Sequence, residues 1–255
     1  MRIAYFTETY YPQLNGVVTS LNNFSNVYRA QGHTTYIIAP KLKGYKDSDP
    51  NIIRIPSLKI WPTFPDLARV PLLLPGGYFR KLLKLDADIV HAHGNGGYSL
   101  IGLLFAKLKK IPYVLTFHNL HTVYASLLFK GIVLTPEMVE KFLKNFAENC
   151  DLVVTPSYKM ELELISYGVK KPIEIIPNFL DLKKFNVWDK HFLHKLLNLP
   201  PATPILLAAG RIEPEKNFEF LIKSFHKISK EDQTSHLVIV GEGRVENELR
   251  QLAED

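Results

Sequence analysis

Apolar runs of four to six residues recur along the chain, separated by segments whose apolar residues fall at helical spacing. The runs at 3–6, 34–39, 52–55, 89–92, 113–117, 152–155, 173–176, 205–209 and 237–240 read as buried strands. Between them, segment 17–31 sets Val18, Leu21, Phe24 and Tyr28 near a 3.6-residue period. Segments 100–109, 136–148 and 158–167 are also helical, the last capped by Ser157. Gly32 and Gly168 stand where helices end. Strand and helix in alternation predict a parallel sheet covered on both faces, an α/β doubly wound fold. The stretch 177–204 is rich in Pro, Lys and Asn and has no strand pattern. It divides a first domain, 1–180, from a linker, 181–203, and a segment 204–255 with room for only two strands and two helices.

Composition narrows the class. The 255 residues, 46% hydrophobic and 22% charged, are those of an ordinary globular chain. One cysteine, Cys150, rules out an internal disulfide. No run approaches the roughly 20 apolar residues that span a bilayer, and the first residues lack a signal-peptide pattern. A cytoplasmic location is expected. The net charge of +6 is unevenly spread. Nine Lys or Arg against three Asp lie between 41 and 84, among them Trp61, Phe64, Tyr78 and Phe79. Such a mixture suits an anionic membrane surface; the alternative is a solvated basic face. No signature of nucleic-acid binding accompanies it.

In open parallel sheets, ligands bind beyond the carboxyl ends of the strands. Residues that carry chemistry collect there: 8–16, His93-Gly94-Asn95-Gly96-Gly97, His118-Asn119, Pro177-Asn178, 210–217 and Gly241-Glu242-Gly243. Gly16 opens a helix, where free N–H groups and the positive dipole end suit a phosphate; a plain Asn15-Gly16 turn is the alternative. The G-x-G-x-x-G fingerprint is absent, which counts against an NAD-dependent oxidoreductase. Arg211 and Lys216 flank a loop before a helix. Two cations at a helix N-terminus oppose its dipole, but they suit a diphosphate leaving group that gains charge in the transition state. Pairing with Glu213 and Glu215 is the competing explanation. His91 and His93 alternate on a strand end without a third ligand at metal-site spacing, so packed histidines are expected. His118 follows a buried strand, placed to hydrogen-bond a sugar hydroxyl or phosphate, with core packing as the alternative. No G-x-S-x-G elbow occurs, and Cys150 lacks an activating partner.

Taken together, these segments resemble glycosyltransferase family 4, retaining enzymes of the GT-B fold. The matches are Tyr11-Pro12 through Asn15-Gly16-Val17-Val18, Asp88-Ile89-Val90-His91-Ala92-His93, Thr116-Phe117-His118, Thr155-Pro156-Ser157, Ile176-Pro177-Asn178, Gly210-Arg211 with Lys216-Asn217, and Val240-Gly241-Glu242-Gly243. The resemblance implies a GT-B α/β architecture: one complete Rossmann-like domain plus the first part of a second. It implies transfer from a UDP- or GDP-linked sugar with retention of configuration and no required cofactor or metal. Gly16 would lie against the donor phosphates, Arg211 and Lys216 would hold the diphosphate, and Asn178 would join the donor site. His118 would sit beside the transferred sugar as the catalytic group. Tyr10, His93 and Asn119 would serve the acceptor, bound by the first domain while the second binds the donor. Residues 8–12 and 116–124 resemble members that glycosylate diacylglycerol or phosphatidylinositol lipids. The expected partners are therefore a nucleotide sugar, a lipid acceptor and an anionic membrane surface, on its cytoplasmic face, and no nucleic acid.

Two departures qualify the resemblance. The family's Ile-Pro-Asn-Gly-Val-Asp is here Ile176-Pro177-Asn178-Phe179-Leu180-Asp181. The family's paired glutamates, seven residues apart in the second domain, have no counterpart before Asp255. Without those carboxylates the chain is expected to be weak or inactive unless a longer product or a second chain supplies them. An incomplete second domain is also expected to expose apolar surface. Competing readings are an accessory binding subunit, a nucleotide-sugar epimerase of related architecture, and a peripheral membrane protein without enzymatic function. The last leaves Arg211 and Lys216 unexplained.

Overall fold

A computed structural model of the chain describes residues 1–59, 69–72, 77–118, 135–180, 182–185 and 189–254. Its contacts divide it into two units, Met1–Leu180 and Asp181–Asp255.

The first unit runs β1 (Arg2–Thr7), α1 (Gly16–Ala30), β2 (Thr34–Pro40), β3 (Ile52–Ile55), β4 (Ser57–Lys59), β5 (Arg69–Pro71), α2 (Tyr78–Leu83), β6 (Ile89–His93) and α3 (Gly97–Lys109). It continues with β7 (Tyr113–Thr116), α4 (Pro136–Ala147), β8 (Leu152–Thr155), α5 (Tyr158–Ser166) and β9 (Ile173–Ile175). Seven strands form one parallel sheet in the order β3-β2-β1-β6-β7-β8-β9, and β4 pairs with β5 as a separate antiparallel ribbon. The chain leaves β1 toward β2 and β3, then returns to the other side of β1 with β6. This reversal puts the topological switch point, where open α/β sheets bind ligands, between β1 and β6.

Successive residues of β1 face opposite sides of the sheet and feed two cores. Ala4 and Phe6 pack with Tyr98, Ile101 and Phe105 of α3, Leu143 and Phe146 of α4, and Met160 and Leu164 of α5. Ile3 and Tyr5 pack with Val18 and Leu21 of α1 and Ile37 of β2. Burial on both faces explains why the strands read as continuous apolar runs. The helix ends follow their caps: Asn15, Thr135 and Ser157 accept from Val18, Met138 and Met160. Gly32 and Gly168 leave α1 and α5 at φ 83° and 81°.

The second unit contains a 3-10 turn (Leu182–Phe185), α6 (Phe192–Leu196), β10 (Ile205–Ala209), a second 3-10 turn (Pro214–Lys216), α7 (Phe218–Glu231), β11 (His236–Val240) and α8 (Glu246–Glu254). Its strands pair in parallel. The stretch 181–203, read as linker, carries the first 3-10 turn and α6. The β4–β5 ribbon and α2 were likewise not legible: strands of three residues outside a longer apolar run, and a helix of six residues, under two turns, show no period. The expected exposed apolar surface is present: Leu207 is 57%, Phe220 67% and Val240 51% accessible. Ile212 and Phe218 are the large apolar side chains buried among the described residues of this unit.

Candidate active site

The carboxyl ends of β1, β6 and β7 meet in register, with Thr7 opposite His93 and His93 opposite Thr116. Just beyond β1 lies Glu8, whose carboxylate is buried against the start of α3. It accepts from the Tyr98 and Ser99 backbone N–H groups at 3.1 and 3.2 Å, two of the donors a helix start leaves free. The negative charge also complements the α3 dipole. Burial nevertheless dominates and pushes the Glu8 acid up to about 7, with the Ser99 and Tyr98 N–H bonds opposing. Gly96 makes the approach possible: a Cβ there would lie 2.6 Å from the Glu8 carboxyl carbon. The sequence contained this signal in its glycine-rich loop, but without the fold nothing tied Gly96 to Glu8.

From Glu8 the chain enters the loop that leads to α1. Thr9, Gln13 and Asn15 tie it together: the Thr9 hydroxyl donates to Gln13 and accepts from the Asn15 amide at 3.1 Å. Arg54 of β3 holds it from outside, donating to the carbonyl of Tyr11 at 2.6 Å and of Pro40 at 2.9 Å. The same guanidinium is paired with Asp47, both side chains about one-tenth exposed (11% and 10%), and lies over the Tyr10 and Tyr45 rings. Arg54, counted in the sequence as part of a basic surface, is therefore an internal fastener. Lys41, Lys43, Lys46, Arg80, Lys81 and Lys84 of that region are exposed. Trp61 and Phe64 lie outside the described residues.

Gly16 is the first residue of α1, behind an extended Asn15 cap (φ −156°, ψ 174°). It has no left-handed φ, and a Cβ there would meet nothing within 4 Å. A two-residue Asn-Gly turn of the type that needs left-handed φ is not formed here; Gly16 is the first helical residue. Neither backbone conformation nor packing requires glycine, and the start of α1 carries no acidic residue.

Three histidines cluster at the β6 and β7 ends. His91 and His93 lie 4.4 Å apart by ring centroids, His93 and His118 5.1 Å and nearly parallel. His91 Nε2 is 2.7 Å from the Thr116 hydroxyl, and His93 Nδ1 is 2.9 Å from His118 Nε2. Burial is the main reason all three resist protonation: His91 falls to about 3, His118 to about 4, and His93 well below the ordinary value. Among the described residues no group of three His, Cys, Asp or Glu is arranged to hold a metal.

Two of the residues expected to serve the acceptor are buried in the structure. Tyr10 is 4% exposed and packs in the core beneath α1, with its hydroxyl 3.5 Å from Asn22. His93 is fully buried against Tyr5, Phe24, His91 and His118. Asn119, the third, lies outside the described residues. Asn178 is exposed past the end of β9. Phe179, standing where the family has glycine, packs its ring 6.0 Å from Phe24, and its carbonyl accepts from Asn23 at 2.7 Å.

In the second unit the loop after β10 is braced by the loop after β11. Gly210 and Ile212 donate backbone hydrogen bonds to Val240 and Glu242, both at 2.9 Å. A Cβ on Gly241 or Gly243 would strike the backbone carbonyls of Gly210 or Ile212, so these glycines serve close packing. Arg211 and Lys216 are exposed on this braced loop. Arg211 pairs with Glu215 at 3.0 Å, while Glu213 takes Arg244 at 2.8 Å. The competing explanation is realised for Arg211, although an exposed pair of this kind contributes only about 0–1 kcal/mol. Lys216 has no ion pair among the described residues.

Residues 14–184 match the family model described as Glycosyltransferase Family 4, and residues 189–255 match that of glycosyl transferases group 1. An alpha-monoglucosyldiacylglycerol synthase of Streptococcus pneumoniae is 30% identical, over 100% of this chain and 59% of its own length. A protein of the same name from Acholeplasma laidlawii is 29% identical, over 95% of this chain and 64% of its length. The chain thus spans about three-fifths of these relatives. The crystal structure of Staphylococcus aureus TarM with UDP superposes with a TM-score of 0.65 at 12% identity, covering 100% of this chain and 75% of that one. The expected GT-B type of α/β fold is shown by this likeness.

Proposed function

Because the chain belongs to glycosyltransferase family 4, we propose that it takes part in moving a hexose from a nucleoside diphosphate sugar to a lipid acceptor of the diacylglycerol class, with retention of configuration. The first unit, 1–180, serves the acceptor; residues 204–255 begin the donor site, with 181–203 joining them. The observation that carries the proposal is Gly16. Nothing in the fold asks for glycine there, whereas a donor phosphate lying against the free N–H groups of α1 does. The similarity to two proteins named for glucosyl transfer to a diacylglycerol lipid supports the acceptor class.

The chemistry follows from charge. The bond from the anomeric carbon to the diphosphate breaks, and negative charge grows on the departing phosphate oxygens. Lys216 and Arg211 stabilise that charge without a metal. His118, which burial keeps neutral near pH 7, offers a hydrogen bond to the transferred sugar without adding charge, and Asn178 adds a further contact to the donor. UDP bound to TarM, a structural neighbour, supports a nucleoside diphosphate as the ligand. The exposed cations of 41–84 provide contact with an anionic membrane on its cytoplasmic face. Among the described residues no helix is long and apolar enough to cross a membrane, so surface attachment is the mode proposed.

The test is sugar transfer from UDP- and GDP-hexoses to diacylglycerol in phosphatidylglycerol vesicles, for this chain and for the same chain extended by downstream coding sequence. Formation of an α-linked glycolipid by either form supports the proposal. Tight UDP binding with no turnover in both forms would favour the accessory-subunit reading, and neither binding nor turnover would remove both.

A further inference from the structure

A guanidinium offers five N–H donors in a fixed plane, and in Arg54 four of them have partners. Nε and Nη2 donate to the two Asp47 carboxylate oxygens at 2.8 and 2.7 Å, a bidentate pair. Nη2 also donates to the Tyr11 carbonyl at 2.6 Å, and Nη1 to the Pro40 carbonyl at 2.9 Å. The Tyr10 and Tyr45 rings lie against the same group, at 5.6 and 5.4 Å. A side chain so engaged, and only 11% exposed, acts through what it holds.

What it holds is the approach to α1. Tyr11 lies five residues before Gly16, in the loop that Thr9, Gln13 and Asn15 tie together. At the end of that loop the Asn15 side chain accepts from Val18 N–H, and its carbonyl from Thr19 N–H. The N–H groups of Gly16 and Val17 have no protein partner among the described residues, as the first donors of a helix do. Their direction follows from the backbone of 11–15, which Arg54 reaches from β3, two strands away from β1. The loop 41–51 carries a second tie that serves as a control. Asp49 pairs with Arg29, in the last turn of α1, at 2.6 Å. One loop is thus joined to the start of α1 through Asp47 and to its end through Asp49.

We infer that Arg54 is a positioning residue for the donor phosphate: held by Asp47, it fixes the Tyr11 carbonyl and so aims the Gly16 and Val17 N–H groups. The phosphate half of this inference rests on the reading of Gly16 as the place where a donor phosphate lies. The aiming of the two N–H groups does not. Lysine keeps the charge but not the fork, so it cannot hold Asp47, Tyr11 and Pro40 together.

The test uses the full chain labelled with 15N, as wild type, Arg54→Lys, Asp47→Asn and Asp49→Asn. Without ligand, the Gly16 and Val17 amide signals are expected to move in Arg54→Lys and Asp47→Asn and to stay in Asp49→Asn. UDP titrated against those signals is expected to bind about tenfold more weakly in the first two variants and unchanged in the third. In the transfer assay the donor KM rises and the acceptor KM holds. Urea unfolding sets lost stability apart, since all three variants weaken an ion pair and only two of those pairs lead to Tyr11. If Arg54→Lys does not fold, Asp47→Asn decides. Amide signals that stay in place in the folded Arg54 and Asp47 variants overturn the inference, and so does equal weakening of UDP in all three. Moved signals with a wild type that neither binds UDP nor transfers sugar would sink the functional reading alone. UDP binding that both variants leave unchanged would sink the positioning role alone.

Discussion

Acidifying the protein from pH 6.5 to pH 5 pits its buried histidines against its buried glutamate, and the outcome can be worked through. His91 and His118 sit in the folded chain at about 3 and 4, below their ordinary 6.5. The unfolded chain therefore takes up protons that the folded one refuses, and stability present above pH 6.5 is lost as pH falls. Over that interval, which begins with the unfolded histidines already half protonated, the two cost about 3 kcal/mol together, with His93 acting in the same direction. Glu8 has the opposite sign. Its folded value of about 7 lies above the ordinary 4.5, so the folded chain holds the proton more tightly and gains about 2 kcal/mol over the same interval. Without His93 the net loss is about 1–2 kcal/mol, a sizeable share of a total stability of about 5–15 kcal/mol. Removing the Glu8 titration should make the loss steeper. Glu8→Gln is expected to lose about 2 kcal/mol more than the wild type over the same interval, whatever its stability at pH 7. Urea unfolding followed by circular dichroism at several pH values measures both slopes. A midpoint that does not fall between pH 6.5 and 5, or equal slopes in the two proteins, would refute the reasoning.

Two glycines are expected to part company. Gly96→Ala drives a Cβ into the Glu8 carboxylate and should cost about 1–3 kcal/mol in urea unfolding. Gly16→Ala enters open space at a helix start and should leave stability within about 0.5 kcal/mol while lowering sugar transfer. Arg54→Gln strands Asp47 in a buried site and should destabilise by about 3–5 kcal/mol, with Arg54→Lys losing less because it keeps the charge but not the fork; a loss below about 1 kcal/mol would show that the loop does not depend on it. Lys216→Ala should leave the urea midpoint unchanged and weaken UDP binding by calorimetry about tenfold. Unchanged affinity would remove Lys216 from the donor site.

Much of this protein was legible because periodicity is local. The strand at 52–55, the strand at 205–209 and the end of α1 at Gly32 follow from apolar runs and cap chemistry that involve neighbours in sequence. The convergence of His93 and His118 was partly legible too, since both fall at strand ends and parallel sheets put those ends together. Short elements escaped: α2 and α6 span six and five residues, less than two turns.

What the chain alone determined was the alternation of elements, the α/β class and the set of polar residues placed at the carboxyl ends of the strands. Those depend on patterns a few residues long, written directly in the order of side chains. The tertiary structure alone decided which of those residues face outward. His93 and Tyr10 share the edge with His118, yet both are packed inside; Arg54 looks like surface charge and is bound to Asp47 and to the loop before α1. Glu8 and Gly96 are 88 positions apart in sequence, yet one must be glycine for the other to cap α3. Burial and pairing are set by contacts between distant segments, and only when the sheet is assembled do those contacts determine which polar groups lose water and which keep it.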